Sequence, residues 1–297
     1  MAFSELPYAP LQPLDLPWLA HAGIQAAILR LDLIDPLISG NKWFKLRHHL
    51  LAARASGAPG LISLGGNHSN HLHALAAAGQ RFGFATAGLL RGHAQDTPTV
   101  TDLQRWGMAL HWLGYGGYRT RHEPDFWASW QARYPGWYCI PEGGGGAAGA
   151  LGCQAIVEQA RAQLPALGWE DFDAWWLAVG TGTTLAGLVQ GEQGAHEVHG
   201  ALAVPAHPDL IEHIQALAGS AGYQLHEACR GGFARIDDSL RRFIENTECQ
   251  TQVPLEALYS GKLLMALHDQ VQAGQIAPGS RLIVVHGGGL QGRRGYL

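Results

Sequence analysis

Asp173-Ala174-Trp175-Trp176-Leu177-Ala178-Val179-Gly180-Thr181-Gly182-Thr183-Thr184 sets the pattern for the whole chain. An apolar run of strand length closes on glycine, and the residues beyond it read as a helix. The glycines let the backbone wrap tightly. Consecutive N–H groups and three hydroxyls there suit a phosphate dianion. The motif is neither a Walker A loop nor a full dinucleotide fingerprint, because it runs Gly180-x-Gly182-x-x-Leu185. A plain strand-to-helix turn would need the same glycines, so both readings stand at this point.

The same arrangement recurs on both sides. Apolar runs at 60–64, 84–90, 109–113, 137–140, 198–204 and 223–226 read as strands. Segments 69–82, 97–106, 124–133, about 147–164, 210–217 and 255–272 read as helices. A further strand at 281–285 runs into Gly287-Gly288-Gly289. Residues 1–20 form an extended, proline-punctuated lead-in, and 26–31 a strand stopped by Asp35-Pro36. Strands that alternate with helices and end on glycine predict parallel α/β sheets, with ligands at the carboxyl ends of the strands.

Three further stretches carry polar chemistry. In Ser39-Gly40-Asn41-Lys42-Trp43-Phe44-Lys45-Leu46, two lysines three residues apart open a helix whose apolar positions continue at Leu50 and Leu51. Such lysines share a face, and a helix N-terminus already favours anions, so the pair points to an anionic ligand. In Gly65-Gly66-Asn67-His68-Ser69-Asn70-His71, Ser69 and Asn70 can cap the next helix. No GxSxG elbow is present. His68, His71 and His73 lack a carboxylate or cysteine at a metal-binding spacing, so no metal is expected. His48 and His49 read as surface or partly buried helix residues. In Leu258-Tyr259-Ser260-Gly261-Lys262, Tyr259 is compatible with a core aromatic, and Lys262 lies inside a helix without a P-loop glycine before it.

The bulk composition excludes several classes. The 297 residues, 47% hydrophobic and 15% charged with 40 glycines, describe a globular chain with room for a large core. A net charge of -4 with no basic run argues against nucleic acid. No apolar stretch approaches the roughly 20 residues of a membrane span. The first residues show neither a basic nor an apolar signal region. Cys139, Cys153, Cys229 and Cys249 are scattered without CxxC spacing. The expectation is a cytoplasmic protein.

In order, these motifs resemble the pyridoxal-phosphate enzymes of the tryptophan-synthase-β-like fold. Within them, the chain is most similar to the group of 1-aminocyclopropane-1-carboxylate (ACC) deaminase and D-cysteine desulfhydrase. The group's Gly-Asn-Lys-x-x-Lys-Leu stands at 40–46 and its Gly-Gly-x-x-Ser-Asn at 65–70. Ile-Pro-x-Gly-Gly stands at 140–144, Gly-Ala-Leu-Gly at 149–152 and His-x-Gly-Gly at 286–289. The resemblance implies two open twisted parallel-sheet domains with pyridoxal 5'-phosphate in the cleft between them. Residues 1–44 and 144–297 would form the larger domain and 45–143 the smaller. It further implies that Lys42 carries the cofactor as a Schiff base and that Lys45 lies near the phosphate. Gly180, Thr181, Gly182, Thr183 and Thr184 would form the phosphate cup. Asn70 would bond the cofactor's 3-oxygen, Ser69 would serve proton transfer at the substrate, and Tyr259 would contact substrate or act as acid/base.

Two departures bear on the substrate. ACC deaminases carry a glutamate after the tyrosine, where this chain has Ser260, and leucine after the C-terminal histidine, where it has Gly287. D-Cysteine desulfhydrases tend to have hydroxyl residues at both places. A neutral Ser260 at the pyridine nitrogen makes the ring a weaker electron sink, which hinders cyclopropane opening more than loss of a thiol. The group's upstream charged cluster survives only as Arg30 and Asp32, and the 187–255 stretch is short. The sequence therefore predicts a lyase that eliminates sulfide from D-cysteine, and the resemblance implies a homodimer. ACC deamination is the alternative. A cofactor or amino-acid binding protein without turnover is a third reading, against which the Lys42, Ser69 and Tyr259 set argues.

Overall fold

The computed structural model describes residues 5–295. β1 (Leu11–Pro13) and a short helix α1 (Pro17–His21) precede β2 (Gln25–Arg30). Next come α2 (Asn41–Ala55), β3 (Gly60–Gly65), α3 (Asn70–Phe82), β4 (Ala85–Leu90) and α4 (Pro98–Arg105). They are followed by β5 (Ala109–Trp112), α5 (Gly114–Arg119), α6 (Phe126–Arg133), β6 (Tyr138–Cys139) and α7 (Gly146–Arg161). β7 (Ala174–Val179), α8 (Thr183–Glu192), β8 (Glu197–Leu202), α9 (Pro208–Ala218) and β9 (Tyr223–Glu227) continue the alternation. α10 (Asp238–Thr251), α11 (Ser260–Gln272) and β10 (Arg281–His286) follow, and then a 3-10 helix at Leu290–Gly295.

Among the described residues the strands form two sheets. One has the order β1-β2-β10-β7-β8-β9 and is parallel except for β1; the other has the order β5-β4-β3-β6 and is parallel throughout. Both faces of the larger sheet are covered. Trp175, Leu177 and Val179 of β7 face one apolar cluster, while Ala174 and Trp176 face another. That two-sided burial explains why β7 reads as a continuous apolar run. The first cluster also takes Leu61 from β3 and Leu72 and Leu75 from α3, joined through Phe44, Leu46 and Leu50 of α2. Helix α2 is thus buried on several sides, which exceeds the single apolar stripe the sequence suggested.

Two differences from the sequence reading have physical causes. Helix α10 escapes the pattern because only Leu240, Ile244 and Thr247 are buried on an otherwise polar helix, capped by Asp237. The helix expected from 255 begins at Ser260 instead, because 256–259 wraps around the side chain of Glu256. Among the described residues, no helix is long and apolar enough to cross a membrane.

Candidate active site

The strand ends and helix starts of both sheets surround a cavity of about 500 Å³, within the usual range for small-molecule sites. Its base is set by a backbone contact. Gly40 adopts a φ of +67°, and a Cβ added there would overlap the carbonyl of Gly287. Asn41 N–H donates to that same carbonyl at 3.1 Å, so the start of α2 is pinned to the end of β10. From this junction Lys42 enters the cavity and donates from Nζ to Asn41 Oδ1 at 2.7 Å, while Asn41 Nδ2 donates to Thr184 Oγ1 at 2.9 Å. Lost solvation, and then the charge of Lys45, push the Lys42 pKa down to about 7. Burial also lowers that of Lys45.

The 180–184 loop faces these lysines. Lys45 Nζ lies 3.5 Å from Thr181 Oγ1, which is 3.0 Å from Thr183 Oγ1. Gly182 has a φ of +79°, a left-handed turn that starts α8 at Thr183. The helix N-terminus, the hydroxyls and Lys45 together make an anion cup. Gly180, Thr181, Gly182 and Thr184 line the cavity, whereas Thr183 stands behind, bonded to Thr181.

Across the cavity, Ser69 lines the wall and also caps α3, accepting from Leu72 N–H at 3.2 Å. The capping and functional readings of this serine are compatible, since its hydroxyl proton is not used by the cap. Asn70 Oδ1 accepts from Gln291 Nε2 at 2.5 Å, which leaves the amide nitrogen for a ligand. Ser63 Oγ donates to Ile140 O at 2.8 Å, so its 2.7 Å contact with His71 Nε2 makes that nitrogen the donor. His71 Nδ1 is then a buried lone pair without a protein partner. Burial, Lys42 and Lys45 hold this ring well below the usual imidazole range, hence neutral.

Tyr259 rests on Gly180, where an added Cβ would lie 3.2 Å from its ring. Ser260 lines the wall beside it. Glu256 lies buried behind Ser260, and its carboxylate accepts N–H bonds from Leu258, Tyr259 and Ser260 at 2.6–2.7 Å. Burial pushes this carboxyl up, against the pull of those donors. Glu142 also lines the cavity, held by Tyr118 O–H at 2.5 Å and Arg121 Nε at 2.7 Å.

Of the residues singled out from the sequence, Lys42, Lys45, Ser69, Asn70, Tyr259 and Ser260 all reach one cavity. Arg30 and Asp32 do not. They form a buried two-pronged pair with each other, at 2.9 and 2.7 Å. His49 is more buried than expected and bonds Gly145 O at 3.0 Å. Sequence reasoning missed Glu256, Glu142 and the role of His71. The only signal for Glu256 was its place just before the Tyr259 turn.

These residues fit pyridoxal phosphate. The cup suits its phosphate, the Asn70 amide and the orphan His71 Nδ1 offer a donor and an acceptor for its polar ring groups, and an amine titrating near neutrality suits its aldehyde. Comparison with known proteins agrees. A protein from Pyrococcus horikoshii, provisionally named a 1-aminocyclopropane-1-carboxylate deaminase, is 25% identical over 291 residues, covering 92% of this chain and 87% of that one. A mitochondrial Arabidopsis thaliana protein named bifunctional D-cysteine desulfhydrase/1-aminocyclopropane-1-carboxylate deaminase is 27% identical over 313 residues, covering 95% and 76%. The solved structure of an ACC deaminase homologue matches with a TM-score of 0.83 at 24% identity, over 100% of this chain and 93% of that one. The sequence pattern of the pyridoxal-phosphate dependent enzymes matches residues 7–288, and the chain belongs to that family.

Proposed function

We propose that this enzyme is a lyase that eliminates the β-substituent of a small amino acid, D-cysteine foremost. With one water consumed, the products are pyruvate, ammonia and sulfide. Bound pyridoxal phosphate supplies an aldehyde that captures the substrate amine and a ring that takes up the electrons of a broken Cα–H bond. Lys45, Thr181, Thr184 and the first turn of α8 would hold the phosphate, and Asn70 would orient the ring. Lys42 Nζ, titrating near neutrality, takes the proton from the substrate α-carbon. Ser69 Oγ, fixed by its cap, carries a proton to the departing group, and Tyr259 walls the substrate side.

One observation carries the choice of substrate. Ser260, a neutral residue whose hydroxyl bonds back to Glu256, lines the cavity where ACC deaminases have a carboxylate, while Glu256 lies behind it with three amides on its oxygens. A weaker electron sink favours loss of a thiol over opening of a cyclopropane. Purified enzyme given D-cysteine, L-cysteine and ACC separately should release pyruvate and sulfide from D-cysteine. Keto acid from ACC alone would transfer the assignment to ACC deamination. Bound cofactor with no product from any of them would favour a binding protein.

Position 287 tests the cavity wall. An added Cβ there meets nothing nearer than Asn41 Nδ2 at 3.7 Å, so a side chain has room to grow into the cavity. Gly287→Leu should fold normally and raise the KM for substrate by on the order of tenfold, since it takes up several methylenes of space. An unchanged KM would remove Gly287 from the substrate wall.

We further propose that the two sheets mark two domains, the smaller at about 45–143 with its start inside α2, and that the enzyme is a cytoplasmic homodimer. Light scattering should then give twice the mass of the chain.

A further inference from the structure

The chain contains three lysines, Lys42, Lys45 and Lys262, against seventeen arginines. Two of the lysines face the anion cup. The third is 1% exposed and sits in the first turn of α11, where a helix dipole opposes a cation. Such a charge needs full compensation, and it has it. Lys262 Nζ donates to Cys229 O at 3.0 Å, Gly232 O at 3.0 Å and Phe233 O at 2.8 Å, so three N–H bonds meet three carbonyls.

Those carbonyls belong to the loop between β9 and α10. To turn them inward the backbone takes left-handed conformations at Arg230, with a φ of +54°, and at Gly231, with +80°. A left-handed arginine is strained, so something must hold it. Arg230 bonds Asp237 and Ser239 on the outer side, each at 2.7 Å. Lys262 is the inner tie. The loop then delivers Phe233 and Ala234 to the cavity wall, with the Phe233 ring set edge-on against Tyr259 at 5.6 Å.

We infer that Lys262 is a positioning residue, a tethered cation that gathers the 229–233 carbonyls and so holds Phe233 against Tyr259 over the cavity. Carbonyl oxygens converging on one point will accept any small cation that fits. This makes the inference testable by chemical rescue. It rests on the cavity being the catalytic one, but the tie itself is read by trypsin, which cuts after Arg230 and Arg235.

In the holoenzyme, Lys262→Ala and the neutral, equally long Lys262→Met should open the loop to trypsin at least tenfold faster. Both should raise KM about tenfold with a smaller change in kcat. Methylammonium at millimolar concentration should restore protection and KM in Lys262→Ala, with no effect on Lys262→Met, whose side chain fills the space. Wild-type protection and KM in Lys262→Met would overturn the inference, and so would a damaged Lys262→Ala that methylammonium leaves unchanged. Should Lys262→Ala fail to fold, Lys262→Met decides alone. Faster cleavage with unchanged KM would keep the tie but overturn its role at the cavity. Failure of the D-cysteine assay with normal rescue of loop protection would count against the substrate reading and not against Lys262.

Discussion

Lys42→Ala should eliminate covalent capture of pyridoxal phosphate and lower turnover by at least about 10³-fold, the scale expected when a nucleophile that works as part of a unit is removed. Borohydride reduction followed by peptide mass mapping should find the cofactor on Lys42 in the wild type and nowhere in the variant. A labelled Lys45 would reverse the assignment of the two lysines. The pH dependence follows from the depressed pKa. Only the neutral amine attacks an aldehyde. At pH 7 an ordinary lysine is neutral in roughly one molecule in a few thousand. With a pKa of about 7, Lys42 is neutral in half, and the gain is on the order of 10³-fold. The sign is that uptake by cofactor-free protein rises with pH, roughly tenfold per unit below neutrality, and levels off above about pH 8. A rate still climbing at pH 10 would mean that burial and Lys45 do not depress the amine.

Gly40→Ala should be the most damaging small substitution outside the cavity lining. The added methyl meets the carbonyl of Gly287 and the Cα of Gly288, which are backbone atoms that cannot swing aside, and the φ of +67° is one an alanine resists. The left-handed conformation costs about 1 kcal/mol and the overlap on the order of 1–3 kcal/mol more. Melting should fall by roughly 5–10 °C. Because Lys42 lies two residues on, the variant that does fold should capture cofactor poorly, with a displacement near 1 Å sufficient for about 10²-fold in rate. Normal melting together with normal capture would show that the junction yields, and that the position of Lys42 is set elsewhere.

The sheets and the cup were legible because strands buried on both faces leave long apolar runs, and because turns beside a ligand demand glycine. Lys42 and Lys45 were legible for a similar reason: their spacing fixes one helical face. What the sequence concealed depends on packing between distant segments. Glu256 reads as one more acidic residue until the 256–259 turn folds three amides onto it. His71 reads as one histidine among several near a helix start until Ser63, on a neighbouring strand, fixes its tautomer. Helix α10 was lost because two buried aliphatic residues and a threonine are too thin a signal on so polar a segment.

The apolar cluster threaded by Phe44, Leu46 and Leu50 reaches both sheets, and this bears on how the molecule breathes. Swinging one sheet away from the other would shear close-packed side chains, for which a dense interior has no slack. Hinge motion is therefore an expensive way to admit a substrate. The cheaper moving parts are the exposed cavity-lining segments outside that packing, around Gln95 and Tyr115. Substrate entry and product exit would then proceed on the fast timescale of loops, while Lys42 stays still.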